Sequence, residues 1–154
     1  WSPTYAADPT LAGWWKLDDG TQLYNTIREA SPKIIVNNRV SKRDHFELDF
    51  ITQEQGHFQE AFPKHWEACY TMNSSWGYKK SDHNWKDAET VYNRLADINR
   101  KGGNLLLNVG PDPKGTVQPE AIQILKEVGK RLRDQPTQKI APVIKQTPGI
   151  LEKK

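Results

Sequence analysis

Polar and aromatic side chains follow the apolar runs of this sequence, and their types suit the chemistry of sugars. Carboxylates and amides hydrogen-bond sugar hydroxyls, while aromatic rings combine a large apolar face with specific packing geometry. The side chains are Asp18, Asp19, Asn37, Asn38, Arg39, Thr52, Glu54, residues 73–76 and Asn108. Two carboxyl groups in such a set could serve as the acid and the nucleophile of glycoside hydrolysis.

The composition argues against several other classes of function. The 154 residues contain 22 Lys plus Arg and 19 Asp plus Glu, with the two signs interspersed, so nucleic acid is not an expected partner. Cys69 is the only cysteine, and no Cys/His spacing of a zinc site occurs. We therefore expect neither structural zinc nor redox chemistry. No apolar run reaches the roughly 18 residues of a membrane helix, and no signal-peptide leader is expected at the N-terminus.

The four histidines also lack the spacing of metal ligands on a helix. We interpret them as surface residues or as supports for other side chains; they are His45, His57, His65 and His83.

Apolar runs alternate with helical patterns, which predicts an α/β fold with a parallel sheet built from strand–helix units. The predicted strands are residues 13–17, 34–36, 48–51, 68–72 and 105–107, and the predicted helices are about residues 23–30, 87–101 and 119–132. A closed eight-stranded barrel needs about 250 residues, so this pattern predicts either part of a barrel or an open sheet. In a barrel, the chemistry lies at the carboxyl ends of the strands, where the polar set stands.

Several motifs occur in order between about residue 13 and residue 133. They are Asp19-Gly20, Val36-Asn37-Asn38-Arg39, Asp49-Phe50-Ile51-Thr52-Gln53-Glu54-Gln55, Trp66-Glu67-Ala68-Cys69-Tyr70-Thr71-Met72, Ser75-Trp76-Gly77-Tyr78 and Lys101-Gly102-Gly103-Asn104-Leu105-Leu106-Leu107-Asn108-Val109-Gly110-Pro111. Together they resemble family 29 of the glycoside hydrolases, the α-L-fucosidases. Members of that family are retaining exo-glycosidases with a distorted (β/α)8 barrel and, usually, a C-terminal β-sandwich.

The resemblance implies how the chain is organised. Residues 1–135 would form a partial (β/α)8, TIM-like barrel of about strands 4 to 8. Residues 136–154, which carry three prolines and no sustained period, would form an extended tail without a core. The earlier barrel strands and the β-sandwich have no counterpart in these residues. A half-barrel exposes sheet edges and an apolar face, so a partner chain or a second copy is expected to complete it.

The resemblance assigns the nucleophile to Asp19. Its carboxylate would attack the anomeric carbon of fucose and form a covalent glycosyl-enzyme intermediate. Asp18 is the alternative, because adjacent strand residues point to opposite faces and only one can face the site. Either aspartate could instead cap the following helix, and Asp18 is better placed for that.

The family does not place its acid/base at one uniform position, so two glutamates are candidates. Glu54 is the first choice, and Glu67 matches a glutamate proposed for some members. In a retaining enzyme the two carboxyl groups lie about 5–5.5 Å apart, and the acid has a raised pKa. Glu67 could instead support a neighbouring side chain or be a structural carboxylate at the start of a strand.

Two further residues match substrate-binding positions of the family. Arg39 would bind a sugar oxygen and orient a carboxylate, unless it forms a surface ion pair. Trp76 would pack against the methyl group and ring face of fucose, unless it belongs to the core.

Two functions remain open from the sequence. The first is a retaining α-L-fucosidase that removes terminal fucose from a fucosylated oligosaccharide or glycoconjugate by double displacement, without a metal or an organic cofactor. The resemblance implies a secreted, periplasmic or lysosomal-type compartment for it. The second is a non-catalytic carbohydrate-binding or structural fragment of such an enzyme. An unrelated α/β sheet that binds phosphate is disfavoured, because Lys101-Gly102-Gly103 lacks the GxGxxG or P-loop spacing.

Overall fold

A computed structural model of the chain describes residues 17–40 and 48–137. The chain divides into two compact units, Trp1–Ile51 and Thr52–Lys154. Seven elements occur in the described part: α1 (Leu17–Ala30), a 3-10 helix (Asn38–Val40), β1 (Ile51–Glu54), β2 (Trp66–Thr71), α2 (Ala88–Arg100), β3 (Asn104–Asn108) and α3 (Pro119–Asp134). None of the helices in these ranges is long and apolar enough to cross a membrane.

In the first unit, the Asp49 side chain accepts hydrogen bonds from α1 and from the segment that follows it. Its Oδ2 accepts hydrogen bonds from the backbone N–H of Val36 at 2.6 Å and from Arg28 Nη2 at 2.8 Å. The Asp49 N–H donates in turn to the Val36 carbonyl at 2.9 Å. These bonds bring Asn37 beside Phe50, where the two residues form a single parallel bridge.

The predicted strand at residues 34–36 is wrong for the described structure, which has only that bridge at Asn37. A strand needs a partner over several residues, and Ile34 and Ile35 are 46% and 71% exposed instead of being covered by neighbours.

In the second unit, the three strands form one sheet in the order β1-β2-β3. β2 and β3 are parallel, and their register runs from Glu67 opposite Asn104 to Thr71 opposite Asn108. α2 connects these two strands along the chain, as parallel pairing requires. Most of β2 is buried, which explains its nearly continuous apolar sequence.

Local signals set the ends of α2. Asp87 caps its start, because Oδ1 accepts from the Thr90 N–H at 2.6 Å. At the other end Gly102 has a φ of 85°, and the Gly103 N–H donates to the Ile98 carbonyl at 2.9 Å, the usual glycine stop of a helix.

The core of this unit lies between the sheet and the helices. Its buried members are Met72, Val91, Ala121, Ile124 and Val128, with Trp85, Ala88, Leu107, Val109, Val117 and Leu132 packed against them. α3 begins with proline at its first position, which has no N–H to leave unpaired.

The predicted α/β class with a parallel sheet is confirmed, and so are all three predicted helices, with α1 starting earlier than expected. The strands predicted at residues 68–72 and 105–107 correspond to β2 and β3, and the one predicted at 48–51 lies three residues later as β1. Residues 13–16 of the strand predicted at residues 13–17, and residues 138–154 of the predicted tail, lie outside the described residues, while Leu17 is the first residue of α1.

Candidate active site

Polar side chains meet at the carboxyl end of β2. Thr71, the last residue of β2, is 1% exposed, and its hydroxyl donates to the Asn73 carbonyl at 2.5 Å. Gln55, the first residue after β1, donates from Nε2 to Thr71 Oγ1 at 3.0 Å. The carboxyl ends of β1 and β2 therefore lie side by side.

Lys86 joins the same cluster from the segment before α2. Its Nζ donates to the Asn73 carbonyl at 2.8 Å and lies 3.5 Å from Thr71 Oγ1. Burial, and then the nearby Arg94, lower the pKa of Lys86, although the charge of Asp82 opposes this. A cation at this edge favours negative charge there.

Asp82 organises the loop that follows β2. Its Oδ2 accepts from the hydroxyl of Ser75 at 2.6 Å and from the backbone N–H of Ser74 at 3.1 Å, and its Oδ1 accepts from the N–H of Asn84 at 3.2 Å. The Ser75 bond is the largest cause that holds the pKa of Asp82 below its ordinary value. The loop is thus built around an ionised carboxylate.

The same loop presents two aromatic rings. Trp76 and Tyr78 are each 42% exposed, although both are large and partly apolar. Asn108, at the end of β3, donates from Nδ2 to the Trp76 carbonyl at 2.7 Å. Gly110 packs so closely on Gly77 that a Cβ there would lie 2.8 Å from the Gly77 carbonyl carbon. The Trp76 backbone is therefore fixed while its ring remains accessible for stacking.

The structure places the two candidate acids at different ends of the sheet. Glu54 is the last residue of β1 and is exposed, directly before the Gln55 contact at the carboxyl edge. Glu67 is the second residue of β2 and pairs with Asn104, the first residue of β3. Thr71 lies four residue steps along the strand from Glu67, which is about 13 Å. Glu54, but not Glu67, is therefore brought to the edge that carries Trp76 and Asn108.

Asp19 and Arg39 lie in the first unit. Asp19 is exposed in the first turn of α1, which corrects the expectation that it ends a strand. A carboxylate is favourable there because the first turn carries the positive end of the helix dipole. Arg39 is exposed on the 3-10 helix, where its N–H donates to Asn37 Oδ1 at 3.0 Å. The Asp18 side chain lies outside the described ones, so the choice between the two aspartates is not tested.

Sequence reasoning missed Gln55, Lys86 and Asp82 as parts of this arrangement. The spacing of Asp82 before Asn84 is typical of an Asx turn and could have indicated its role. Nothing in the local sequence indicates that Lys86 reaches the end of β2. Within residues 19–40 and 48–137, no group of three or more His, Cys, Asp and Glu side chains is arranged to hold a metal ion.

Comparison with known proteins gives one consistent result. The family model described as "Alpha-L-fucosidase" matches residues 1–135. An α-L-fucosidase of Dictyostelium discoideum is 28% identical over 126 residues, covering 79% of this chain and 27% of that protein. The tissue α-L-fucosidase of Bos taurus is 32% identical over 125 residues, covering 77% of this chain and 26% of that protein.

Solved structures agree with the sequence matches. α-L-fucosidase isoenzyme 1 of Paenibacillus thiaminolyticus superposes with a TM-score of 0.67 at 33% identity, over 75% of this chain and 30% of that one. The chain thus spans less than a third of the length of each of these three relatives.

Proposed function

Because this chain belongs to the α-L-fucosidase family, we propose that the protein it forms hydrolyses terminal α-L-fucose from fucosylated oligosaccharides or glycoconjugates. The observation that supports this most directly is the carboxyl edge of the sheet. There Glu54 ends β1, and Trp76 presents a 42% exposed indole on a loop anchored by Asn108. The carboxyl group could transfer a proton in sugar cleavage, and the accessible aromatic ring could pack on the sugar.

The reaction we propose is a double displacement with retention. The Asp19 carboxylate attacks the anomeric carbon, while Glu54 donates its proton to the departing glycosidic oxygen. Glu54 then removes a proton from water, which displaces Asp19 and releases fucose. Arg39 binds a sugar oxygen through its guanidinium, and Trp76 packs on the sugar ring.

Glu67 has a structural role in this proposal. Its position near the amino ends of β2 and β3 is opposite to the edge where barrel enzymes carry out chemistry. This position favours Glu54 as the acid/base.

We also propose that residues 1–135 contribute about strands 4 to 8 of a (β/α)8 barrel. β2, α2 and β3 provide the strand–helix–strand unit of such a barrel, with a parallel register. The remaining strands would come from other residues of the polypeptide, from a partner chain or from a second copy. Residues 136–154 would be a tail beyond the barrel.

The test is the hydrolysis of an aryl α-L-fucoside by protein expressed from its complete coding sequence, with the intact mass measured on the same sample. Release of fucose with retained configuration, followed by NMR of the first-formed anomer, is the expected result. Binding of fucose without hydrolysis would contradict the proposal and identify a non-catalytic carbohydrate-binding protein.

A further inference from the structure

Gln55, which directly follows Glu54, has a backbone conformation that an L-residue rarely adopts. Its φ is 51°, and it is the one non-glycine residue with a positive φ among residues 17–40 and 48–137. Such a conformation persists only where its surroundings enforce it, and it occurs preferentially at functional sites. The conformation of Gln55 therefore calls for contacts that hold it in place.

Two hydrogen bonds to β2 provide those contacts. The Gln55 N–H donates to the Cys69 carbonyl at 2.9 Å, and its Nε2 donates to Thr71 Oγ1 at 3.0 Å. The Thr71 hydroxyl has one proton, which it donates to the Asn73 carbonyl, so its oxygen is available to accept from Gln55. The side chain and the backbone of Gln55 are thus fixed together.

His57 connects the same segment to Tyr70 of β2 and to Asp97 of α2. Its Nδ1 lies 2.8 Å from the Tyr70 hydroxyl, and its Nε2 lies 2.8 Å from Asp97 Oδ2. Asp97 also accepts from Lys101 Nζ at 2.6 Å and from Arg100. Burial acts to raise the pKa of Asp97, but the bonds from Lys101, His57 and Arg100 outweigh it, so the pKa is lowered and the group is a carboxylate.

The protonation pattern of this network follows from its partners. A carboxylate only accepts, so His57 Nε2 carries a proton and donates to Asp97, while Nδ1 faces the Tyr70 hydroxyl. The His57 side chain is 18% exposed, and the Arg94 guanidinium lies 4.0 Å from the centre of the Tyr70 ring. Each polar atom of the imidazole therefore has a fixed partner.

The two attachments act on opposite sides of β2. Tyr70 and Thr71 are consecutive, so their side chains point to opposite faces of the strand. Gln55 is attached through Thr71 on one face and His57 through Tyr70 on the other. The segment that starts at Gln55 is therefore bonded to side chains on both faces of β2. It has little freedom to rotate or shift.

We propose that Gln55 and His57 are positioning residues for Glu54, which together fix its carboxyl group for proton transfer to the leaving group. This inference rests on the proposed function. In this proposal both residues act through the backbone that carries Glu54. General-acid efficiency depends on this positioning, since a displacement of about 1 Å can cost about 100-fold in rate.

The test uses kcat/KM for two fucosides, one with a good leaving group (2,4-dinitrophenyl) and one with a poor one (phenyl). Gln55→Gly removes the whole side chain but can adopt the left-handed backbone without steric cost, so it is expected to fold. For Gln55→Gly and His57→Ala we expect a loss of ~10–100-fold on the phenyl fucoside and of less than about 3-fold on the dinitrophenyl fucoside. A purely structural role would lower both rates equally.

Conservative and control variants complete the design. In His57→Gln the amide can still donate to Asp97 and accept from Tyr70, so we expect rates within about 3-fold of the wild type. Gln123→Ala and His65→Gln change an exposed glutamine and an exposed histidine outside this network, and they are expected to leave both rates unchanged. Thermal unfolding of every variant shows whether a rate change reflects loss of fold.

Three results would overturn the inference, and they are distinguishable. The first result is that folded Gln55→Gly and His57→Ala have wild-type rates on both substrates, or lose the same factor on both. Either outcome would show that these residues do not position the acid. A Glu54→Ala variant without leaving-group dependence would show that Glu54 is not the acid, while the fucosidase activity of the wild type would stand. Absence of fucose release by the wild type would remove the proposed function and this inference with it.

Discussion

Gly103→Ala tests the packing that holds the amino ends of β2 and β3 together. A Cβ at Gly103 would collide with three atoms of the Trp66 indole, at distances that real Cβ atoms do not show. Trp66 is 1% exposed, and its Nε1 donates to the Lys101 carbonyl at 3.2 Å, so the ring cannot move without losing that bond. The substitution must therefore displace either the indole or the backbone.

The expected cost combines two effects. Overpacking a buried position costs about 1–3 kcal/mol. Loss of the indole hydrogen bond adds about 1 kcal/mol. We therefore expect Gly103→Ala to lower the free energy of unfolding by about 2–4 kcal/mol, measured by urea denaturation with an unchanged m-value.

Gly129→Ala is the matched control. Gly129 lies inside α3, and a Cβ there would have its nearest neighbour at 4.0 Å, the flexible end of Arg133. Alanine is the better helix former, so the free energy of unfolding of this variant is expected to be about 0.5–1 kcal/mol higher than that of the wild type. In a Trp66→Phe background the added methyl group of Gly103→Ala should cost less, because the smaller ring leaves space. Equal stability of Gly103→Ala and wild type, or an unchanged cost in the Trp66→Phe background, would refute the packing argument.

Three further predictions concern chemistry and pH. Asp19→Ala should abolish turnover, and azide should restore part of it by replacing the carboxylate; normal turnover of this variant would exclude Asp19 as the nucleophile. Glu54→Ala should lose far more activity on a poor leaving group than on a good one, whereas Glu67→Ala should affect both alike; the reverse pattern would assign the acid to Glu67. The folded-state pKa of Asp97 lies below its ordinary value of 3.8, so its contribution to stability is present above that value and lost as the pH falls through the lower pKa. The stability difference between wild type and Asp97→Asn should therefore shrink as the pH falls below about 4, and a difference that is constant between pH 7 and pH 2 would contradict this.

Much of the fold could be predicted because its signals are local. α2 has apolar residues on one face and a glycine stop, and β2 and β3 are short apolar runs bounded by polar residues. Residues 34–36 have the same kind of sequence but form no strand, and the one bridge nearby is at Asn37. Strand formation depends on a partner elsewhere in the chain, and this dependence is not encoded in three apolar residues.

The site was less predictable than the fold, and Glu54 and Glu67 show why. Both glutamates stand in matching motifs, so their spacing in sequence could not separate their roles. The register of β2 against β3 separates their positions, because it places Glu67 opposite Asn104 at the start of the pair. The left-handed conformation of Gln55 and the approach of Lys86 to Thr71 could not be predicted from the sequence either, because both depend on contacts between distant segments.

The exposed apolar residues of the sheet bear on the proposal that further strands complete a barrel. β3 ends the strand order β1-β2-β3, and its Leu106 is 53% exposed at the centre of the strand. Trp76 and Tyr78 are also accessible at the adjoining edge. A parallel strand is normally covered on both faces, so the exposure of Leu106 shows that one face of β3 is not covered by the part of the chain that the structure describes. This supports the proposal that further strands of a barrel pack around β3.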